Sequence, residues 1–156
     1  MQSGAVIDTA GLCPVDDWIE ESWEASFDKV TDVNLRGPVN LARAFMPGMI
    51  DRGDGRIVYC GSVSGRMGGV KCGLHYAARK GGVHPFVRWL SQRGTQHNVL
   101  VSAVAPRSFG TAMAAQNDID PEIYPKRRAG SPKKIGATIA FLCSLGAVFI
   151  SGATLM

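Results

Sequence analysis

The sequence contains no C-x-x-C pair: Cys13, Cys60, Cys72 and Cys143 lie far apart, and His75, His84 and His97 are scattered between them. That pattern excludes a zinc-ribbon type of metal site and a dense disulfide framework. It predicts free thiols in a reducing, cytoplasmic setting and no bound metal. The first residues, MQSGAVIDTAG, have neither a basic n-region nor a long apolar core, so no secretory signal is expected. A strong charge of one sign is missing too. Seventeen Lys and Arg against 13 Asp and Glu give +4 at pH 7, with a pI near 9.0. This suits acidic small molecules and does not call for nucleic acid. Charge is absent altogether from Ile135 to Met156, and by length those 22 residues could form a tail anchor flanked by Lys133–Lys134. Seven glycine and hydroxyl residues interrupt the run (Gly136, Thr138, Ser144, Gly146, Ser151, Gly152, Thr154). It divides into an apolar helix, Ile135–Leu145, and a short strand, Ala153–Leu155, and no membrane span is expected.

What is present fits one domain over residues 1–156. The chain is 46% hydrophobic and 19% charged, with 19 glycines, a composition that favours an α/β or loop-rich fold over a plain helix bundle. The most informative stretch is Gly55–Gly82, GRIVYCGSVSGRMGGVKCGLHYAARKGG. An apolar strand, Ile57–Cys60, breaks at Gly61–Ser62, and a glycine-rich crossing leads to a helix opening around His75. On that helix Tyr76 and Lys80 are four residues apart, on one face and one turn from each other. A free tyrosine has a pKa of about 10. An ammonium at ~4 Å in an effective dielectric of ~20 favours the phenolate by up to a few kcal/mol, roughly two or three pKa units. A serine hydroxyl at the end of the strand could hold a carbonyl or alcohol oxygen beside the phenol. By itself the Tyr–Lys spacing also describes a solvated helix face; the strand, the Gly-Ser break and Gly81–Gly82 give it weight.

Elsewhere, GAVIDTAG (4–11) reads as a buried strand and turn. Ser22 is the expected N-cap of a helix running through Phe27, Val30 and Val33 toward Asn34 and, past Gly37–Pro38, through Leu41, Phe45 and Met49. Pro38 predicts an irregularity there. DRGDG (51–55) is a turn. The helix of Tyr76 continues through Val83, Val87 and Leu90, with a kink expected at Pro85. NVLVSAVA (98–105) is a buried parallel strand. Lys126–Arg128 with Lys133–Lys134 form a basic run, read as a solvated surface or, alternatively, as an attractor of an anionic substrate or partner.

In this setting Gly55–Gly82 resembles the short-chain dehydrogenase/reductase family, with Ser62 matching the catalytic serine (Ser64 is a nearby competitor) and Tyr76 and Lys80 matching its Y-x-x-x-K pair. The likeness runs along nearly the whole chain. Residues 4–11 fall where the family has a strand ending in N-N-A-G; Asp8–Thr9 replace the two amides, and Ala10–Gly11 are kept. SWEASFDKVTDVNLRGPVNLARAFMPGM (22–49) is similar to the family's long fourth helix, and Asn34 matches the asparagine whose kinked backbone holds a relay water. PRSFGTAM (106–113) resembles the P-G-x-x-x-T segment, and Ala114–Pro125 the variable substrate loop. Further departures are Arg79 for a serine, Arg107 for a glycine that would cost about 1 kcal/mol or more if φ must be positive, and Lys134 for a glutamate.

The resemblance implies a Rossmann-like α/β fold, a partial doubly wound parallel sheet of about four strands (near 4–7, 56–60, 99–105 and 153–155) side by side in that order, with flanking helices. It implies an NAD(P)-dependent oxidoreductase interconverting a secondary alcohol and a ketone, closest in feel to 3-oxoacyl reductases. Tyr76 would be the general acid/base. Lys80 would lower its pKa and bind the nicotinamide ribose, Ser62 would polarise the substrate oxygen, and Asn34 would anchor the relay water. Cofactor contacts would come from Ala10, Gly11, Tyr76, Lys80, Pro106 and Thr111. The phosphate-binding G-x-x-x-G-x-G turn is absent, as is the residue that separates NAD from NADP; GSVSGRMGG (61–69) aligns to the catalytic loop instead. A homo-oligomer through the helices around 23–50 and 75–93 is implied. The rival expectation is an inactive, truncated remnant with a structural or partner-binding role, since the outer edge of the first strand would lie open.

Overall fold

The computed structural model describes residues 4–69, 71–116, 120, 122 and 126–156. The segment 114–125 expected to shape a substrate loop therefore lies largely outside the described residues, as do the first three residues of the chain. Four strands, β1 (Ala5–Asp8), β2 (Gly55–Cys60), β3 (Val99–Val104) and β4 (Thr154–Leu155), form one parallel sheet in the order β1-β2-β3-β4. Val6 pairs with Ile57, Ile57 with Val101, and Ala103 with Thr154. The order and direction are those the sequence implied.

Parallel neighbours need crossovers, and helices supply them. Between β1 and β2 run α1 (Trp23–Thr31), a π-helical turn (Asp32–Arg36) and α2 (Gly37–Arg52). Short α3 (Ser64–Met67) and long α4 (Leu74–Gly94) join β2 to β3. Beyond β3 lie α5 (Ala112–Gln116) and α6 (Pro132–Cys143). The central strands β2 and β3 are buried on both faces, as their apolar runs require. On one face Ile57, Tyr59, Val99 and Val101 pack with Met46 and Met49 of α2 and Val83, Val87 and Leu90 of α4. On the other, Val58 and Val104 meet Ile139 and Leu142 of α6. The alternation along β2 assigns each side chain to one layer.

Local chemistry sets the ends. Gly53, at φ 68°, closes α2 in the left-handed conformation. Ser22 occupies the N-cap position of α1, yet its side chain makes no capping bond. The irregularity expected near Pro38 is the π-helical turn just before it, whereas α4 runs on through Pro85. Arg107 does not take a positive φ; among the described non-glycine residues only Asn98 and Arg127 do, so the expected backbone cost does not arise. The uncharged C-terminal run is split between α6, a 3₁₀ turn (Leu145–Ala147) and β4. Among the described residues no helix is long and apolar enough to cross a membrane. The edge strand β1 does leave one side open, with Ile7 49% exposed.

Candidate active site

The loops after β1, β2 and β3 leave the carboxyl ends of neighbouring parallel strands, where open α/β sheets bind ligands. Here they enclose a cavity of about 570 Å³. Ser62, Tyr76, Lys80, Ala10, Gly11, Pro106 and Thr111 all line it, and Ser64 does as well.

Helix α4 carries the central pair. Its seating depends on a glycine contact: a Cβ on Gly65 would lie 2.5 Å from the Gly81 nitrogen and 2.6 Å from the Lys80 carbonyl carbon. Only bare backbone lets α3 cross α4 this closely, and the crossing fixes the turn that bears Lys80. Ser62 is buried; its Oγ accepts the Ser64 N–H at 3.1 Å, and its hydroxyl is the polar neighbour that favours ionisation of the Tyr76 phenol. Of the two serines, Ser62 is therefore the one that acts on Tyr76. Burial pushes the Tyr76 phenol up to about 12, with Ser62 opposing it. This corrects the expected lowering by Lys80. The Lys80 ammonium donates instead to the Cys60 carbonyl at 2.7 Å and to the Ala10 carbonyl at 3.4 Å. Burial lowers its own pKa, against the fields of Cys60 and Asp8.

Asn34 lies one layer below the cavity, wholly buried in the π-helical turn. Its Oδ1 accepts the Leu12 N–H at 2.9 Å and its Nδ2 donates to the Leu12 carbonyl at 2.7 Å. The side chain thus clamps the loop after β1. Asp8 is buried as well, and its Oδ1 accepts the Ala10 N–H at 2.9 Å; the carboxylate does locally what an amide oxygen would. Gly11 leaves room beside Lys80 and Asn34: a Cβ there would stand in ordinary contact with Met113 Cε at 3.4 Å, Lys80 Nζ at 3.6 Å and Asn34 Oδ1 at 3.7 Å.

The wall after β3 is looser. The Pro106 carbonyl accepts the Val63 N–H at 3.2 Å, and exposed Thr111 takes the Ala114 N–H on Oγ1 at 3.3 Å. Arg79 turns away from the cavity, donating from Nε to Thr31 Oγ1 at 2.7 Å and lying over the Phe27 ring. Lys126, Arg127, Arg128, Lys133 and Lys134 are all exposed. Among the described residues no group of three or more His, Cys, Asp or Glu side chains could hold a metal ion.

Residues 4–122 match the family model for short chain dehydrogenases. The chain belongs to the short-chain dehydrogenase family. An acetoacetyl-CoA reductase of Allochromatium vinosum is 36% identical over 137 residues, covering 85% of this chain and 55% of that protein. One from a Synechocystis species is 34% identical over 156 residues, covering 96% and 64%. A 3-oxoacyl-(acyl-carrier protein) reductase of Brucella melitensis, solved with bound NAD, superposes with a TM-score of 0.89 at 29% identity, over 97% of this chain and 59% of that one. The chain thus spans between about half and two thirds of the length of these relatives.

Sequence reasoning missed two features of this short-chain dehydrogenase site. Cys13 and Cys72 share a wall of the cavity with Tyr76. Behind the start of α4, His75 Nε2 meets Asp16 Oδ2 at 3.2 Å and Ser26 Oγ at 3.1 Å, tying the loop before α1 to the turn that precedes Tyr76. No spacing announces either group, because each joins loops distant in sequence.

Proposed function

We infer that this chain carries the catalytic part of an NAD(P)-dependent oxidoreductase that interconverts a ketone and a secondary alcohol, with 3-oxoacyl thioesters as the leading substrate class. One observation carries the reading: a buried serine and a buried tyrosine line one cavity together with a lysine one turn further along the tyrosine's helix. Ser62 holds the substrate oxygen. Tyr76, neutral at physiological pH, donates its proton to that oxygen as negative charge develops there. Its raised pKa keeps the phenol protonated at neutral pH, the form in which it can act as an acid during reduction. Lys80 orients the ribose hydroxyls beside it, and its ammonium supports the phenolate left after transfer. When bound, the nicotinamide supplies the hydride.

The residues present fit the nicotinamide-ribose half of such a cofactor. The cavity supplies the Lys80 ammonium and the hydroxyls of Ser62, Tyr76 and Thr111, among other polar groups, and Gly11 leaves open the space above Lys80 that a side chain would fill. Ala10, Pro106 and Thr111 complete the rim that would hold it. The chain contains no glycine turn for the pyrophosphate. The open edge of β1 supports a second reading, a structural or partner-binding role without turnover. A homo-oligomer through α1–α2 and α4 is part of the proposal, supported by Phe45 and Trp89, which are about half exposed on those helices.

The test is calorimetric titration with NADH and NADPH, followed by assay of acetoacetyl-CoA reduction. Binding of either nucleotide with measurable turnover supports the enzyme. Absence of binding at millimolar nucleotide would overturn it for this chain and leave the second reading.

A further inference from the structure

The cavity holds a nucleophile that the proposed chemistry does not use. Cys72, in the loop before α4, is half-buried beside Cys13, which follows β1 and is buried; Cys13 and Ser64 are the neighbours that favour its thiolate. Both sulfurs line the cavity, and Cys13 packs with Tyr76 and Cys72 in one small cluster. Cys72 fills the space above Gly69, where a Cβ would meet its sulfur. The two cysteines thus share one cluster on the cavity wall, held by chain segments about 60 residues apart. The other two cysteines differ: burial pushes the thiols of Cys60 and Cys143 up.

We propose that Cys72 and Cys13 form an oxidation site that takes a small hydroperoxide through the cavity and closes as a disulfide beside Tyr76. In the first step the Cys72 thiolate attacks one peroxide oxygen. An S–O bond forms, the O–O bond breaks, and the departing oxygen takes up a proton as water or alcohol, leaving Cys72 as a sulfenic acid. In the second step the Cys13 sulfur attacks the Cys72 sulfur. The S–S bond forms, the S–O bond breaks, and hydroxide leaves with the Cys13 proton as water. Two thiols lose two electrons in all, and one hydroperoxide is reduced by two.

The starting thiolate is accessible at neutral pH, because the neighbouring Cys13 outweighs burial and holds Cys72 down to about 6. The ionisable groups around it are Cys13 and Tyr76, with Cys60, Lys71, Lys80 and Arg107 on the other walls of the cavity. Closure also bears on the phenol. Negative charge on Cys13 or Cys72 pushes Tyr76 up, and a disulfide carries none.

The test treats the reduced, folded chain with one equivalent of hydrogen peroxide and reads intact mass and peptide maps, so it stands apart from any ketone activity. The expected result is loss of two hydrogens, a single Cys13–Cys72 linked peptide, and a rate that rises with pH to a half-maximum near 6 and is flat above pH 7. C13S should stop at a sulfenic acid on Cys72 that dimedone traps, and C72S should leave Cys13 reduced. Linkage through Cys60 or Cys143 would overturn the proposal. So would a half-maximum at pH 8 or above, or thiols that all react only once the chain unfolds; these readings on the unaltered chain decide the matter even if a variant folds poorly.

Discussion

The floor and the rim of the cavity are built in opposite ways. Asn34, Ser62, Tyr76 and Lys80 are each less than a tenth exposed, and each is bonded to backbone or influenced by another member of the set. The described part of the rim, Pro106 to Gln116 and residues 126–135, is half-buried or exposed. It is held across by a few backbone bonds, such as Gly110 N–H to the Gly130 carbonyl at 3.0 Å and Gly130 N–H to the Ser108 carbonyl at 2.9 Å. A buried polar group that loses its partner costs about 1–3 kcal/mol, so the floor is locked before any ligand arrives. The rim has little to lose by rearranging. On the proposed function, reaction chemistry falls to the first region and choice of ligand to the second.

That division can be broken most directly at Tyr76. Tyr76→Phe should lower ketone reduction by roughly a thousandfold, within the range for general acid–base groups, with little change in melting temperature. Unchanged turnover would remove the floor from the chemistry. The same variant carries a pH signature. The phenol's folded pKa, about 12, lies above its ordinary 10.0, so its contribution to stability is full below pH 10 and is lost as the pH rises toward 12. Denaturation followed between pH 9 and 12 should show a steeper alkaline decline in the parent chain than in the variant.

Next in size is Gly65→Ala. The new methyl would meet the backbone of α4, and overpacking of this kind costs about 1–3 kcal/mol. Urea denaturation should show the loss together with reduced turnover, since Lys80 moves with the crossing. Stability equal to the parent would mean that α3 is not seated as described. Asn34→Ala should cost about 1–3 kcal/mol by leaving both Leu12 groups unpaired. Asn34→Asp, which keeps the acceptor and loses the donor, should fall in between. Thr111→Ala sharpens the other side of the comparison: binding of the nucleotide weakens several-fold, kcat stays within about twofold, and the melting temperature is unmoved. A large drop in kcat there would merge rim and floor.

Much of the floor was legible in the sequence because its signals are local. The Tyr76–Lys80 step, the strand ending in Gly61–Ser62 and the β-branched run of β3 each declare themselves within one element. The boundaries were nearly right as well; β1 was placed one residue early, and α6 starts at Pro132, where Ser131–Pro132 is a start signal left unused. What stayed hidden depends on contacts between distant segments. The rise of the Tyr76 pKa follows from how deeply the phenol is packed, which no spacing encodes. The Asn34 clamp joins residues 22 positions apart, and the proximity of Cys13 and Cys72 arises only when the loop after β1 folds over the start of α4. The concern over Arg107 came from assuming that a side chain departing from a glycine pattern must meet a glycine's conformation.

The glycine crossing beside Lys80 has a consequence for how this sequence can drift. A side chain at 65 would collide with the backbone of 81, and one at 81 would sit 3.0 Å from the carbonyl oxygen of 65. No compensating change at the partner position makes room, because the partner is already without a side chain. The two positions therefore have nowhere to go by paired substitution. A lineage that keeps this helix crossing keeps both glycines, and one that loses either must rebuild the approach of α3 to α4.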